Sequence, residues 1–290
     1  MEVIHRLIRF ARKSPREQWR SLCYHLAETD WYWKVRSPGK DRTTYIIGLF
    51  GTGRLYINEL ILQNVPERAK YFREENRAKI HIDSGPTSMI HSCHATMKYV
   101  SRGQKPPEVT SRILRTVRLG FADLIFIYRH PLDSLLSNWV WWRTLYREQL
   151  MIFASQLYNN TDELCAILAQ NFAEFRAFAD GDPRFFPDPE CGGFLSFPEY
   201  VEETELFLQV ATLALRLEDF MSDPVKEFSK ILRLMSVDLD VKRLQVPPPK
   251  TKPDRYMVVQ EKVPRFREFV NELDAETKSR IERIGYKVRG

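Results

Sequence analysis

Two continuous apolar runs do most to limit what this chain can fold into. Residues 43–50 read TTYIIGLF and Ala122–Tyr128 reads ADLIFIY. Neither alternates apolar with polar positions, so each predicts a strand buried on both faces. Each runs straight into turn residues and then a helical pattern. Gly51-Thr52-Gly53 precedes a helix over 54–64, and Arg129-His130-Pro131 precedes one that reaches about residue 143. Shorter strands are expected at 79–82, 88–90 and 211–217, and helices at 107–119, 144–158, 162–179, 224–235 and 274–284. Loops rich in Pro, Gly and Asp cover 180–198 and follow the triple proline 247–249. Buried strands alternating with helices indicate an α/β fold whose central, mainly parallel sheet is flanked by helices.

No linker or internal repeat divides residues 43–290, which read as a single domain. Residues 1–42 read as a separate basic arm. A helix over 2–13 places Val3, Ile4, Leu7, Ile8 and Ala11 opposite Arg6, Arg9 and Lys13. Ser14-Pro15-Arg16-Glu17 then opens a second helix as a capping box with proline at its first position. Such an arm either packs on the domain as an ordinary hairpin or docks on a membrane surface.

Charge is the next constraint. The 290 residues carry a formal net charge of +6, and the arm holds ten Lys/Arg against five Asp/Glu. Five of the six net charges therefore belong to the arm, and the body is almost neutral. A nucleic-acid binder needs a basic stripe across its fold, so no nucleic-acid partner is expected. At 43% hydrophobic residues the chain is too apolar for disorder, yet no run is long enough to span a membrane. Cys23, Cys93, Cys165 and Cys191 form no metal-ligand or disulfide pattern, so no metal and a reducing compartment are expected. Asn159-Asn160-Thr161 matches a glycosylation sequon, but no signal-peptide core precedes it.

Ligands of open α/β sheets bind beyond the carboxyl ends of the strands. The first such end, Gly48 to Tyr56, offers a glycine turn at a helix N-terminus, a site suited to an anion. Thr52 could add a hydroxyl donor and Arg54 a full charge. It is neither a GxxxxGK[ST] loop nor a dinucleotide fingerprint. At the second, Arg129 could give a bidentate fork to a phosphate and Ser137, eight residues on, a hydroxyl. A structural ion pair for Arg129 would explain the same residues.

Together these two ends resemble the sulfotransferases that use 3′-phosphoadenosine 5′-phosphosulfate (PAPS). The resemblance implies a P-loop-kinase-like α/β fold. Arg129, Pro131 and Ser137 match that family's R-x-P-x-x-x-x-x-S motif, with Asp133 in its usual place. Leu217-Glu218-Asp219-Phe220-Met221-Ser222-Asp223-Pro224 resembles its YEDLxxDP segment, and residues 276–286 resemble its closing helix and Gly-Tyr. The first loop matches less well: Thr52 and Gly53 fit, but Gly51 stands where the family has Lys or Arg. Arg54 and Leu55 replace a pair of hydroxyl residues.

The resemblance implies that Gly51, Thr52, Gly53, Arg54 and Leu55 bind the 5′-phosphosulfate, with Arg54 supplying the missing charge. Tyr56 takes the place of an adenine-contacting aromatic, and Arg129 and Ser137 hold the 3′-phosphate. Lys250, Lys252 and Arg255 fall where the family has a basic closing segment, without its signature. His94, with His91 as a lesser version, and Glu59 are the two candidates for the base that takes the acceptor proton. An imidazole suits that task at neutral pH without tuning.

The implied function is sulfuryl transfer from PAPS, without a metal, to a hydroxyl of a carbohydrate, polysaccharide or glycolipid, leaving adenosine 3′,5′-bisphosphate. A start at Met without an anchor suggests a bacterial cytoplasmic enzyme for capsule or related glycans, docked at the inner membrane through its basic helix. Trp139, Trp141 and Trp142 would either stack on a sugar or fill the core. A small-molecule kinase with a degenerate P-loop and a non-catalytic nucleotide- or glycan-binding protein are the alternatives.

Overall fold

The structure, a computed structural model, describes residues 43–49, 52–65, 72–75, 90–93, 108–120, 122–143, 160–182, 185, 196–247 and 254–288. The basic arm, the strand expected at 79–82, the helix expected at 144–158, Gly51 and His94 lie outside these residues. Strands β1 (Thr43–Gly48), β2 (Phe72–Glu75), β3 (Ile90–Cys93), β4 (Ala122–Tyr128) and β5 (Leu213–Arg216) form a sheet in the order β2-β3-β1-β4-β5. Every pairing is parallel. From β1 the chain moves toward the β2 edge, and from β4 toward the β5 edge. The crevice between the carboxyl ends of β1 and β4 is therefore the topological switch point, where ligands of such sheets bind.

Helix α1 (Arg54–Asn64) follows β1 and α2 (Glu108–Arg118) precedes β4. Helix α3 (Pro131–Trp142) follows β4 with proline at its first position, where the missing N–H costs nothing. The single helix expected over 162–179 is instead two, α4 (Thr161–Gln170) and α5 (Phe172–Ala179). Asn171 divides them: its amide N–H and side-chain Nδ2 both donate to Ile167 O, closing α4, and its own carbonyl accepts from Phe175 N–H. Asparagine competes for backbone hydrogen bonds in this way, which is why it favours helix ends.

Helix α6 (Phe197–Val210) has no counterpart among the expected elements; at its start the Glu199 carboxylate accepts from the Ser196 N–H at 3.1 Å and hydroxyl at 3.0 Å. After β5 come α7 (Leu217–Ser222) and α8 (Pro224–Leu234). Helices α9 (Arg255–Lys262) and α10 (Pro264–Glu272) occupy a stretch with no predicted element, and α11 (Ala275–Arg283) is the expected last helix.

Alternate residues of β1 and β4 face opposite layers, as the pleat requires. Tyr45, Ile47, Leu124 and Phe126 pack with Ile113 of α2 and with Tyr200 and Phe207 of α6. Ile46, Ile125 and Ile127 pack on the other face with Ile57, Leu60 and Ile61 of α1 and Phe228, Ile231 and Leu232 of α8. A third core joins α3 to α4, α5 and α9–α11 around Trp139, Phe175, Phe178, Phe266 and Phe269. Both layers rest on β4, so its side chains carry much of the burial. Phe126 is fully buried and stacks on Phe207 at 4.9 Å. Phe126→Ala should cost about 3–5 kcal/mol. In urea this would appear as a lower unfolding midpoint at an unchanged slope.

Candidate functional site

The end of β1 is shaped by close approach. A Cβ on Gly48 would stand 2.5 Å from Thr52 Oγ1 and 3.1 Å from Arg54 Cβ, so the loop can fold back only over glycine. Gly53 has φ +85°, the left-handed region that glycine adopts without penalty, and a Cβ there would meet Leu217 at 2.8 Å. The loop after β1 is thus packed against the start of α7. Thr52 is buried, and its hydroxyl donates to Leu49 O at 2.6 Å. The expected hydroxyl donor to a ligand is therefore spent on closing its own loop, because a buried hydroxyl must satisfy its donor locally.

Gly53 gives α1 no side-chain cap, and no acidic residue lies in the first turn. Arg54 sits at the first helical position and is only 6% exposed. A guanidinium placed at the positive end of a helix, without a carboxylate in that turn, makes a locally positive spot suited to an anion. The Leu55 side chain lies outside the described residues. Tyr56 is half-buried; its hydroxyl donates to Pro247 O at 2.6 Å and its ring meets Phe220 edge-on. Burial pushes its phenol up to about 12. Glu59 is exposed while Asn58 and Leu60 on either side are buried, so it faces solvent. It lies five residues from Arg54, off that residue's face of the helix. Strand β3 ends at Cys93, and its carboxyl end lies next to that of β1.

The end of β4 is built around charge. Arg129 is 3% exposed, and its Nη2 lies 3.4 Å from Oδ2 of the fully buried Asp133. The other Asp133 oxygen accepts the Tyr256 N–H at 2.9 Å, tying the first turn of α3 to the start of α9. Burial pushes the Asp133 carboxyl up, while Arg129 and that N–H pull it down. Arg129 thus has the structural ion pair that the sequence left open. Ser137, one turn beyond Asp133 on the same face of α3, is half-buried. Arg255, beside Tyr256, is 2% exposed, so the third arginine of the region is held at the protein's interior.

Around this pair lies a polar cluster that motif matching alone did not show. His130 Nδ1 accepts the Leu132 N–H at 3.2 Å, capping α3. Its ring stacks on Tyr256 at 3.9 Å and meets Tyr286 edge-on at 4.9 Å. The His130 backbone N–H donates to Glu218 Oε1 at 2.8 Å, and Tyr286 Oη donates to Glu218 Oε2 at 2.9 Å. The Arg216 guanidinium lies over the Tyr286 ring at 4.4 Å. Tyr256 was hidden because its stretch read as loop, and Glu218 and Tyr286 were visible only as pieces of a resemblance.

The tryptophans answer their own question. Trp139 is fully buried against Phe175, and Trp142 packs edge-on against Phe185 at 4.4 Å, both in the core. Trp141 is 42% exposed. Among the described residues no group of His, Cys, Asp and Glu could hold a metal ion. Among them, too, no helix is long and apolar enough to cross a membrane.

Two solved structures that the chain resembles are sulfotransferases. One is mouse sulfotransferase SULT7A1 complexed with PAP, at 15% identity over 91% of this chain and 86% of that one, with a TM-score of 0.44. The other is a sulfotransferase from Alicyclobacillus acidocaldarius, at 13% identity over 85% and 96%, with a TM-score of 0.42. No family model matches the chain, and no curated protein matches it by sequence. Overlap this loose transfers no residue roles.

Burial pushes the His130 imidazole down to about 4, against opposing pulls from the Lys287 backbone and Glu218. The ring is therefore neutral at pH 7 and does not add to the positive charge of the site. In the unfolded chain it would titrate near 6.5. Its burial thus opposes folding only below that value: stability is intact above about pH 6.5 and falls as the pH drops toward 4. The loss attributable to His130 is on the order of 3 kcal/mol. Thermal unfolding of the wild type and of His130→Gln between pH 7 and 4.5 should show the variant with the shallower decline.

Proposed function

We propose that this chain is a sulfotransferase that transfers the sulfuryl group of PAPS to a hydroxyl of a carbohydrate acceptor. The observation that carries the reading is the pairing at the switch point. An uncapped helix N-terminus bearing Arg54 follows β1, and Arg129, with Asp133 holding its guanidinium, follows β4. Gly48 and Ile127 are register partners, so the two ends leave the sheet side by side. A donor with phosphate groups at both ends of its nucleoside would use both positions. The N–H groups of α1 and Arg54 would take the 5′-phosphosulfate; Arg129 and Ser137 would take the 3′-phosphate.

In the transfer, the bond between sulfur and the 5′-phosphate oxygen breaks and a bond from sulfur to the acceptor oxygen forms. Charge develops on the departing phosphate, where Arg54 and the helix end would stabilise it. The acceptor hydroxyl gives its proton to a base, for which His94 is the first choice and Glu59 the second. Thr52 takes no part as a donor in this account, since its hydroxyl is committed to Leu49. Carbohydrate is the acceptor class that the resemblance implies. Action in the cytoplasm, with peripheral contact of the first helix at the inner membrane, belongs to the same proposal.

A second reading, a binding protein that keeps the fold without catalysis, is favoured by the depth of Arg129 and by glycine at position 51. Ligand binding and transfer separate the two. Adenosine 3′,5′-bisphosphate at about 100 times its Kd should add about 2.7 kcal/mol, raising Tm by roughly 5–10 °C, whereas ATP should not. Arg129→Ala should abolish most of that shift. Labelled-sulfate transfer from PAPS to a glycan panel would then be lost in Arg54→Ala. Absence of any stabilisation at millimolar ligand would sink the sulfotransferase reading; stabilisation without transfer would leave the second.

A further inference from the structure

Both oxygens of Glu218 are engaged, and on two different parts of the chain. Oε1 accepts the backbone N–H of His130 at 2.8 Å. That amide belongs to the peptide bond joining Arg129 to His130, so the contact fixes the backbone at the point where Arg129 leaves β4. Oε2 accepts from Tyr286 Oη at 2.9 Å, and the Tyr286 ring lies beneath the Arg216 guanidinium at 4.4 Å. Leu217, the residue before Glu218, supplies the wall that a Cβ on Gly53 would strike. The start of α7 therefore touches both strand-end loops of the proposed site, one through Leu217 and the other through Glu218.

The placement of a carboxylate here calls for an explanation. Electrostatics alone makes an acidic group beside an anion site a liability, since it repels the ligand. A backbone N–H needs no charged acceptor to be satisfied. What a carboxylate at this position supplies is two fixed acceptors at once, bridging the Arg129 loop and the C-terminal residues.

We propose that Glu218 is a positioning residue for the Arg129 anion site. It holds the Arg129–His130 peptide so that the guanidinium, already oriented by Asp133, faces one direction. Tyr286 holds Glu218 in turn. The inference rests on the donor-binding reading above, and it predicts a sign that neither charge nor general stability would give. Removing the acidic charge should tighten anion binding if Glu218 acts only through its field. It should leave binding to the folded protein unchanged if Glu218 only stabilises the fold. If Glu218 positions Arg129, removal weakens binding.

The test is calorimetric titration of the full chain with adenosine 3′,5′-bisphosphate. Glu218→Ala should bind about tenfold more weakly or worse, the scale of a lost hydrogen bond to a charged group. Glu218→Gln keeps an acceptor for His130 and a partner for Tyr286, so it should stay within about threefold of the wild type. Leu232→Ala, a core variant in α8, controls for stability and should bind normally. Equal or tighter binding by Glu218→Ala would overturn the proposal.

If Glu218→Ala does not fold, Tyr286→Phe releases one oxygen while keeping the ring over Arg216, and should weaken binding at least threefold. Unchanged affinity in Tyr286→Phe would count against the clasp. If the wild type binds no adenosine 3′,5′-bisphosphate, the donor reading fails. The positioning claim is then decided by the Arg129 Nε–H resonance in NMR spectra. It should move in Glu218→Ala and not in Glu218→Gln or Leu232→Ala; no movement in Glu218→Ala would refute it.

Discussion

The buried pair of Arg129 and Asp133 is the interaction around which the rest of the site is arranged. Burying two charges costs more than their mutual attraction repays unless their remaining hydrogen-bonding groups are also met. One Asp133 oxygen is met by the Tyr256 N–H, which comes from a segment more than a hundred residues later in the chain. That bond seats the start of α9 against α3. It also places the Tyr256 ring flat on His130. The C-terminal helices are thereby locked to the start of α3, and their aromatic residues fill the core around Phe175. A hydrophobic pair in place of Arg129 and Asp133 could seal this junction, but it would leave no donor at the strand end. Retaining an ion pair there makes sense where a positioned guanidinium is needed.

The centre of the sheet was legible in the sequence because its constraints are local. Unbroken apolar runs fixed β1 and β4, and Gly53 and Pro131 marked where α1 and α3 begin. What was not legible depends on distant partners. Helices α9 and α10 are short, split at Pro264, and stabilised by packing on α3 and α5 rather than by their own residues. Asn171 breaks a pattern whose apolar spacing continues through it, so periodicity alone joined α4 to α5. Strand β2, Phe72–Glu75, carries two glutamates and an arginine, and only its pairing with β3 makes it a strand.

The same division runs through the candidate site. Arg129, Asp133 and Ser137 lie within one strand-to-helix turn, and their spacing shows from sequence that they share a face. Thr52 illustrates the limit. As a residue type it is a good phosphate donor, yet folding turns its hydroxyl back to Leu49, three residues earlier. Tryptophan illustrates the converse: Trp139 could have served a sugar, but the opposing surface of Phe175 claims it. Contacts such as Glu218 to His130 or Tyr256 to Asp133 join residues 88 and 123 positions apart, and no local pattern encodes them.

Charge at the strand ends is close to balanced. Arg54, Arg129, Arg216 and Arg255 are set against Asp133, Glu218, Asp219 and Asp254, all within the segments that meet there. A site of this kind cannot attract an anion by bulk potential, and the near-neutral body agrees with that. Its selectivity must come from which charges are held in place. Asp133 and Glu218 each accept a backbone N–H, so each carboxylate is partly offset by a donor that does not move. Arg54 stands at a helix end with no acid in its turn, where the peptide dipoles reinforce it instead of cancelling it. On the donor-binding proposal, the start of α1 and Arg129 after β4 are the two held positions that a ligand would meet. In that proposal a ligand would be selected by whether its charges reach both positions at once, a selection that a diffuse basic surface cannot make.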